Sequence, residues 1–376
     1  MKIAFISNHP APYRDPFLNR LVKTERFSVD VFTQFPKDRG HDYWNLVKPE
    51  YSSTLIVPTP RSTIRVFLYM LRTFVFGSYD LVVYPGFLLW YLTACMLISA
   101  IIGKKYGFFA DTVVHDECQG LRQRIKKYIV RHASLIGCPG KAGTSYWGTT
   151  YGVPSTRICT GAYALDNEAI AARIAAERKH RDILRKSIGL TATNKVFLMV
   201  ANMIPSRHYP ITTAAFLRMS TKHPDAKYII VGRGPVLDTM MKLSKEHPQI
   251  IVFPGVEFDK MLKLYALADV YVHGGTEPAS TALVIGAIAG LPLVSSMAVG
   301  CAWDCLEHET SGFCVRDYLS VDDWQNGFEW MMQHEDRWAE MGVAANTLSE
   351  ALSVPRTLEA FETLVMNIGG RKTKEA

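Results

Sequence analysis

Between residues 268 and 300 the chain reads ADVYVHGGTEPASTALVIGAIAGLPLVSSMAVG. One carboxylate, Glu277, lies in a glycine-led loop between a short β-rich run and an apolar, small-residue run long enough for a buried helix. In a parallel sheet such a loop falls at the carboxyl end of the strands, where ligands bind. A helix opening at Ser280, Thr281 and Ala282 offers free N–H groups and a positive dipole end to an anion. The pattern therefore suits a ligand carrying both a negative group and something for a carboxylate to hold. An ordinary strand–helix–strand crossover shows the same pattern, so the rest of the chain must decide.

Other groups with chemical potential are fewer. Asp111 ends the strand pattern Tyr106–Ala110 and is followed by His115, Asp116 and Glu117. Neighbouring residues in one loop rarely all face one ion, so a metal site is not expected there. The seven cysteines, at 95, 118, 138, 159, 301, 305 and 314, form no CxxC and no Cys/His ligand spacing. A reduced compartment fits them, and zinc does not. VGRGP (Val231–Pro235) is a strand with a glycine turn but lacks GxGxxG and a following acid, so dinucleotide binding is weakly supported. GxxxxGK[ST] and GxSxG are both missing from the sequence. Near the start, prolines at 10, 12 and 16 stiffen a loop that holds Arg14 and Asp15 near a strand end.

The elements that must position these groups alternate. The chain has 376 residues, 48% of them hydrophobic and 20% charged, which describes a well-cored α/β protein of two domains. KIAFIS reads as a first buried strand and not as a signal peptide. Strand patterns follow at Phe27–Phe32, Ser53–Val57, Asp80–Tyr84, Tyr106–Ala110, Ser134–Cys138 and Arg157–Cys159, with helices between them. Asp166–Ile188 is polar and alanine-rich and reads as a connector. From Lys195 the alternation restarts and runs past Val315, with a last helix after Pro355 that suits folding back on the first domain. The expected domains are 1–165, with about 355–370 returning to it, and 190–350. No internal sequence repeat accompanies the repeated architecture.

Charge is uneven. Residues 1–180 carry 23 Lys and Arg against 13 Asp and Glu, a net of +10, and the remainder carry 19 against 22, a net of −3. A basic first half points to an anionic partner. Arg61–Phe76 sets Arg61, Arg65 and Arg72 near one helical face and Ile64, Phe67, Leu68 and Leu71 on another. That suits a helix lying on a membrane surface, but it is more commonly the pattern of a helix covering a sheet. Leu121–His132, LRQRIKKYIVRH, is a strongly basic helix, but no nucleic-acid-binding motif accompanies it, so nucleic acid is not an expected partner. The uncharged run Phe87–Ile102 has 16 residues, short of the roughly 20 a membrane span needs.

Taken in order, the segments of the second half resemble the C-terminal domain of family 4-type GT-B glycosyltransferases. ANMIPSRHYP is similar to the family's phosphate loop, VGRGP to its VGxGP turn, and HGGTEPASTALVIGAIAGLPLVSS to its Glu-x7-Glu signature. IIVFPGVEFDKMLKLYALADVYV resembles the segment leading into the donor site, and GCAWDCLEHETSGFCV the loop and strand beyond it. NHPAPYRDPFLNRL resembles the opening of the first domain in this group. The resemblance implies two Rossmann-like doubly wound domains facing across a cleft. A nucleotide sugar is then held mainly by the second domain and an acceptor by the first, with retention of configuration and no metal. With the basic, greasy first domain, the implied acceptor is a hydroxyl on a glycan or lipid-linked carrier at the cytoplasmic membrane face, as in cell-surface polysaccharide or glycolipid assembly.

Carried over by position, Glu277 is the first signature Glu, placed to hold sugar hydroxyls and favour an oxocarbenium-like transition state. Arg207 stands where the family usually has Lys and keeps the charge that stabilises the leaving diphosphate. Asp111 takes the place of the first domain's catalytic His or acid. His9 and Arg14 fall on the acceptor side, and Gly232 and the amides of Ser280, Thr281 and Ala282 on the donor. Three positions depart from the pattern. Asn202 replaces an Arg, Ala201 a Gly, and Ile285 the second signature Glu on which ribose recognition rests. Losing two hydroxyl hydrogen bonds at Ile285 costs about 1–3 kcal/mol of donor affinity. The alternative is a catalytically degenerate GT-B module that only binds.

Overall fold

The computed structural model describes residues 1–11, 14–36, 49–56, 63–111, 120–161 and 164–370. His115, Asp116, Glu117, Cys118 and the start of the basic 61–76 segment lie outside the described residues. The chain divides into two compact units, Met1–Leu165 with Leu352–Ala376, and Asp166–Ala351.

The first unit is built on strands β1 (Lys2–Ser7), β2 (Ser28–Thr33), β3 (Ser53–Leu55), β4 (Leu81–Tyr84), β5 (Tyr106–Phe109), β6 (Leu135–Cys138) and β7 (Ile158–Thr160). They form one sheet of order β3-β2-β1-β4-β5-β6-β7, and every pairing is parallel. Strands β4, β5 and β6 are buried at every residue, so their sequences run apolar without alternation. Helices cover both faces. One face carries Trp90–Ile101 and Leu121–His132 over a core of Phe74, Tyr84, Phe108 and Trp147. The uncharged run is thus a packed crossover helix, Trp90–Ile101, that covers the sheet. Gly140–Tyr151 is a helix that its glycines and threonines conceal in the sequence; Trp147, fully buried, holds it to Phe108.

On the other face the last helix, Val354–Gly370, returns to this unit. Its Phe361 meets Phe5, Phe17 and Phe109 with ring centroids 5.7–6.4 Å apart. Pro355 lies in its first turn, where a missing N–H costs nothing.

The second unit holds β8 (Lys195–Val200), β9 (Ala226–Val231), β10 (Ile250–Phe253), β11 (Val270–His273), β12 (Leu293–Ser296) and β13 (Gly312–Val315). Their order is β10-β9-β8-β11-β12-β13, again all parallel. Both sheets therefore have the doubly wound order in which the winding reverses beside the first strand. That reversal leaves a crevice between β8 and β11 at their carboxyl ends.

Asp166–Ile188, expected as a connector, is two helices of the second unit, Asn167–Arg178 and Arg181–Ser187. Arg185 is almost fully buried, and its guanidinium N–H groups go to the carbonyls of Leu267, Ala192 and Asn194 and to Asp269 Oδ2 at 2.7 Å. Asp269 also accepts from Arg181 and from the Val196 amide. A guanidinium is tolerated there because each of its donors has an acceptor.

Truncating Phe361 to Ala is expected to cost the first unit about 3–5 kcal/mol, since three rings lose their common neighbour. Urea unfolding followed through a first-unit probe checks this, with the second unit's transition unmoved.

Candidate active site

Arg207 follows β8 and Glu277 follows β11, so the reversal of winding brings their loops side by side. Pro205 sets the first residue of a 3-10 turn, Pro205–Arg207, and the helix Tyr209–Ser220 begins immediately after it. Arg207 Nη2 lies 2.6 Å from Glu277 Oε2, and its Nη1 donates to the Thr276 carbonyl at 3.1 Å. Gly275 permits this approach, because a Cβ there would meet Arg207 Cδ at 2.8 Å and His273 Nε2 at 2.9 Å. The backbone of the two loops is also joined, Thr276 N to Ser206 O at 2.9 Å.

The second oxygen of Glu277 has its own partner. His273, the last residue of β11 and fully buried, places Nε2 2.6 Å from Oε1. Its Nδ1 faces the Tyr271 hydroxyl at 3.3 Å, which is also 3.1 Å from the Val200 carbonyl. From the β12 side, Glu277 N donates to Ala298 O at 3.3 Å and Gly300 N donates to Glu277 O at 2.8 Å. Burial alone pushes this carboxyl up. The His273 hydrogen bond and charge, the Arg207 charge and the Ser280 hydroxyl outweigh it, holding Glu277 below its ordinary value of 4.5. An ionised carboxylate with a fixed arginine can hold hydroxyls and stabilise a developing positive centre, while the arginine receives a leaving anion.

The helix expected after Glu277 is Thr281–Ile288. Ser280 caps it, its hydroxyl accepting from Leu283 N at 3.3 Å. The backbone N–H of Ser280 is committed elsewhere, donating to Cys301 Sγ at 2.8 Å. The tip therefore presents Thr281 and Ala282, both half-buried, and not all three amides. Ile285 is 3% exposed, inside the packed helix. Asn202 is exposed at the end of β8, and the VGRGP turn is tied to that loop by Met203 N to Arg233 O at 2.8 Å and Val236 N to Met203 O at 3.0 Å. Gly232 fits against the chain there, since a Cβ would strike the Ala201 carbonyl at 2.0 Å.

The first unit's residues gather at the ends of β1, β2 and β5. Arg14 Nη1 donates to Ser7 Oγ at 3.0 Å, Ser7 Oγ donates to His9 O at 3.1 Å, and His9 Nδ1 lies 3.0 Å from Pro10 O. Asp15 is buried against the Tyr51 hydroxyl at 2.7 Å, and burial raises its carboxyl against that bond. Asp111 is exposed just past β5. Sequence reasoning missed His273 and the Asp15–Tyr51 pair. A polar residue closing the apolar run VYVH was the available signal for the first.

Residues 180–347 match the family model for glycosyl transferases group 1. That stretch lies within the second unit. A mannosyltransferase of Corynebacterium glutamicum, described as GDP-mannose-dependent and acting on a monoacylated phosphatidylinositol monomannoside, is 27% identical over 97 residues, about a quarter (26%) of this chain and of that relative. Among solved structures, Anabaena Alr3699/HepE in complex with UDP and glucose aligns at TM-score 0.72 and 16% identity, covering 98% of this chain and 100% of that one. A glycosyltransferase from Rickettsia africae aligns at TM-score 0.76 and 10% identity, covering 100% and 99%. WaaG, a glycosyltransferase involved in lipopolysaccharide biosynthesis, aligns at TM-score 0.63 and 16% identity, covering 96% and 99%. The fold is GT-B, and the stretch that matches the group 1 model contains Arg207, Glu277 and the helix tip.

Because Glu277 ionises below its ordinary value in the folded chain, its contribution to stability is present above pH 4.5 and is lost as pH falls through the depressed value. Wild type is therefore expected to exceed Glu277→Gln in stability at neutral pH, with the gap closing in acid. Denaturant melts between about pH 3 and pH 7 check it.

Proposed function

We propose that this group 1 glycosyltransferase moves a sugar from a nucleotide diphosphate donor to an acceptor hydroxyl. The observation that carries the reading is the Arg207–Glu277 pair, 2.6 Å apart at the winding reversal of the second sheet and followed directly by a helix N-terminus. In this reading the diphosphate lies against Arg207 and the amides of Thr281 and Ala282. Glu277 takes sugar hydroxyls and, as the anomeric carbon loses its leaving group, stabilises the positive charge that develops. The acceptor oxygen forms the new bond to that carbon, and the nucleoside diphosphate departs with the bonding pair onto Arg207. Retention and independence of metal follow from the family resemblance. His9, Arg14 and Asp111 of the first unit are assigned to the acceptor, with Asp111 as the base.

A lipid-linked acceptor at the cytoplasmic membrane face fits the surface of the first unit. Among the described residues, ten of the sixteen large exposed apolar side chains fall between residues 64 and 128, including Leu68, Leu88, Trp90, Ile101 and Leu121. Arg122, Arg124, Lys127 and Arg131 are exposed on the same group of helices, which suits an anionic lipid surface. No described helix is long and apolar enough to cross a membrane.

Ile285 favours a second reading, a module that binds without turnover, because a buried aliphatic chain cannot take the place of a ribose-binding carboxylate. A panel of UDP, GDP, ADP and CMP sugars separates the two. The cognate donor at about 100 times its Kd stabilises the chain by about 2.7 kcal/mol, read as a raised melting midpoint. Turnover of that donor is expected to fall by about 100-fold or more in Glu277→Ala and in Arg207→Ala. Binding with no turnover in wild type leaves the module reading standing. Cosedimentation is expected with phosphatidylglycerol vesicles and not with phosphatidylcholine vesicles, and to be lost in Trp90→Glu.

A further inference from the structure

Glu277 is gripped at both oxygens, and the two grips differ in kind. Arg207 holds Oε2 from a half-buried loop position, through a guanidinium that also reaches the Thr276 carbonyl and Ser206 Oγ. His273 holds Oε1 from inside the sheet, with its side chain wholly out of contact with solvent. Under the reading above, the leaving diphosphate and the ion pair compete for Arg207, so that grip loosens when donor binds. The His273 grip has no such competitor.

We propose that His273, backed by the Tyr271 hydroxyl, is the positioning residue of this site: it fixes Glu277 through Oε1 so that Oε2 meets the donor sugar once Arg207 turns to the diphosphate. This rests on the function proposed above. A carboxylate only accepts hydrogen bonds, so Nε2 carries a proton. Nδ1 faces a hydroxyl that has one proton and acceptors at Nδ1, 3.3 Å away, and at Val200 O, 3.1 Å away, with the Tyr265 hydroxyl also against it. With the hydroxyl turned to Nδ1 the ring is neutral. With it turned to Val200 O, the same oxygen accepts from a protonated Nδ1. Either way the buried ring has a partner at both nitrogens, so its plane and its hold on Glu277 are kept. The ring is locked further at its backbone, where Ser295 Oγ donates to His273 O at 3.0 Å.

The groups facing Glu277 are His273 and Tyr271 from β11, Arg207 and Tyr209 from the segment after β8, Ser280 at the helix start and Cys301 beyond β12. Of these, the His273 hydrogen bond is foremost in keeping the carboxyl ionised. Its loss moves the carboxyl up and misplaces it, with Arg207 and the helix tip still present to bind the diphosphate. The effect therefore falls on kcat and on the acid limb of the pH profile, and only weakly on the donor KM.

The test compares His273→Leu and His273→Gln with wild type. Leu removes the donor to Oε1, and Gln returns an N–H near the place of Nε2. His273→Leu is expected to lower kcat by up to about 100-fold, as misplacement of a catalytic group does. Its donor KM should stay within about threefold, and its acid limb should move to higher pH. His273→Gln is expected to recover at least about tenfold of kcat and to return the acid limb toward wild type. A folded His273→Leu with wild-type kcat and pH profile overturns the proposal, as does a Gln variant no better than Leu. A readout without substrate separates this from the wider functional reading and stands even if the Leu variant does not fold. The His273 Nε2–H proton, protected from exchange and shifted downfield by its charged acceptor, should be visible by NMR in wild type and return upfield in Glu277→Gln. An unmoved resonance sinks the positioning role whatever the enzyme transfers.

Discussion

A carboxylate taken out of water must be paired or give up its charge, and the second unit is arranged around meeting that demand at Glu277. Three neighbouring loops and one strand supply the partners: Arg207 after β8, His273 on β11, Ser280 at the helix cap, and backbone groups of residues 298 and 300 after β12. Only the strand order β9-β8-β11-β12 makes those segments neighbours. The glycines at 274 and 275 belong to the same demand, since a Cβ at either would strike Thr212, Arg207 or His273. The ion pair is thus less a source of stability than a reason for the local sequence to be what it is, because removing any one partner leaves a buried charge short.

The two units share a strand order but not a use of it. In the first sheet, fully buried Gln34, just past β2, donates to Asn8 Oδ1 at 2.6 Å and accepts from the Tyr91 hydroxyl at 2.9 Å. The buried acid of this unit, Asp15, has the Tyr51 phenol for a partner, and burial raises its carboxyl where that of Glu277 is lowered. The second unit thus keeps its buried carboxylate ionised by pairing it with Arg207 and His273, while the first unit's buried carboxyl sits beside a phenol.

Much of the fold was legible in the sequence because parallel buried strands announce themselves as unbroken apolar runs, and the loop holding Glu277 stood out as the one acid between a strand run and an apolar helix run. The expected strands all formed within a residue or two among the described residues. What escaped was whatever depends on distant partners. Asp166–Ile188 looked like a linker since its surface is polar, yet Arg185 finds its acceptors on segments up to 84 residues away. The amide of Ser280 looked free since helix tips usually are, but a thiol 21 residues on occupies it. His273 looked like the first residue of the loop, and only the fold shows that it closes β11 and turns back onto Glu277 four residues on.

Ile285 suits the way the Thr281–Ile288 helix is seated. Gly286 lies on the Tyr271 ring, where a Cβ would come within 2.6 Å of Cγ, so the helix is drawn down until Leu283 to Ile288 are all buried. A carboxylate at 285 in such a seat would need partners of its own, and an unpaired one costs several kcal/mol. Tyr271 is also the residue whose hydroxyl backs His273. Under the proposed function, the close seating that supports Glu277 also keeps position 285 from the donor. In the reading proposed here, the nucleoside is left to the exposed groups at the ends of β8 and β9, Asn202 and the Gly232–Gly234 turn.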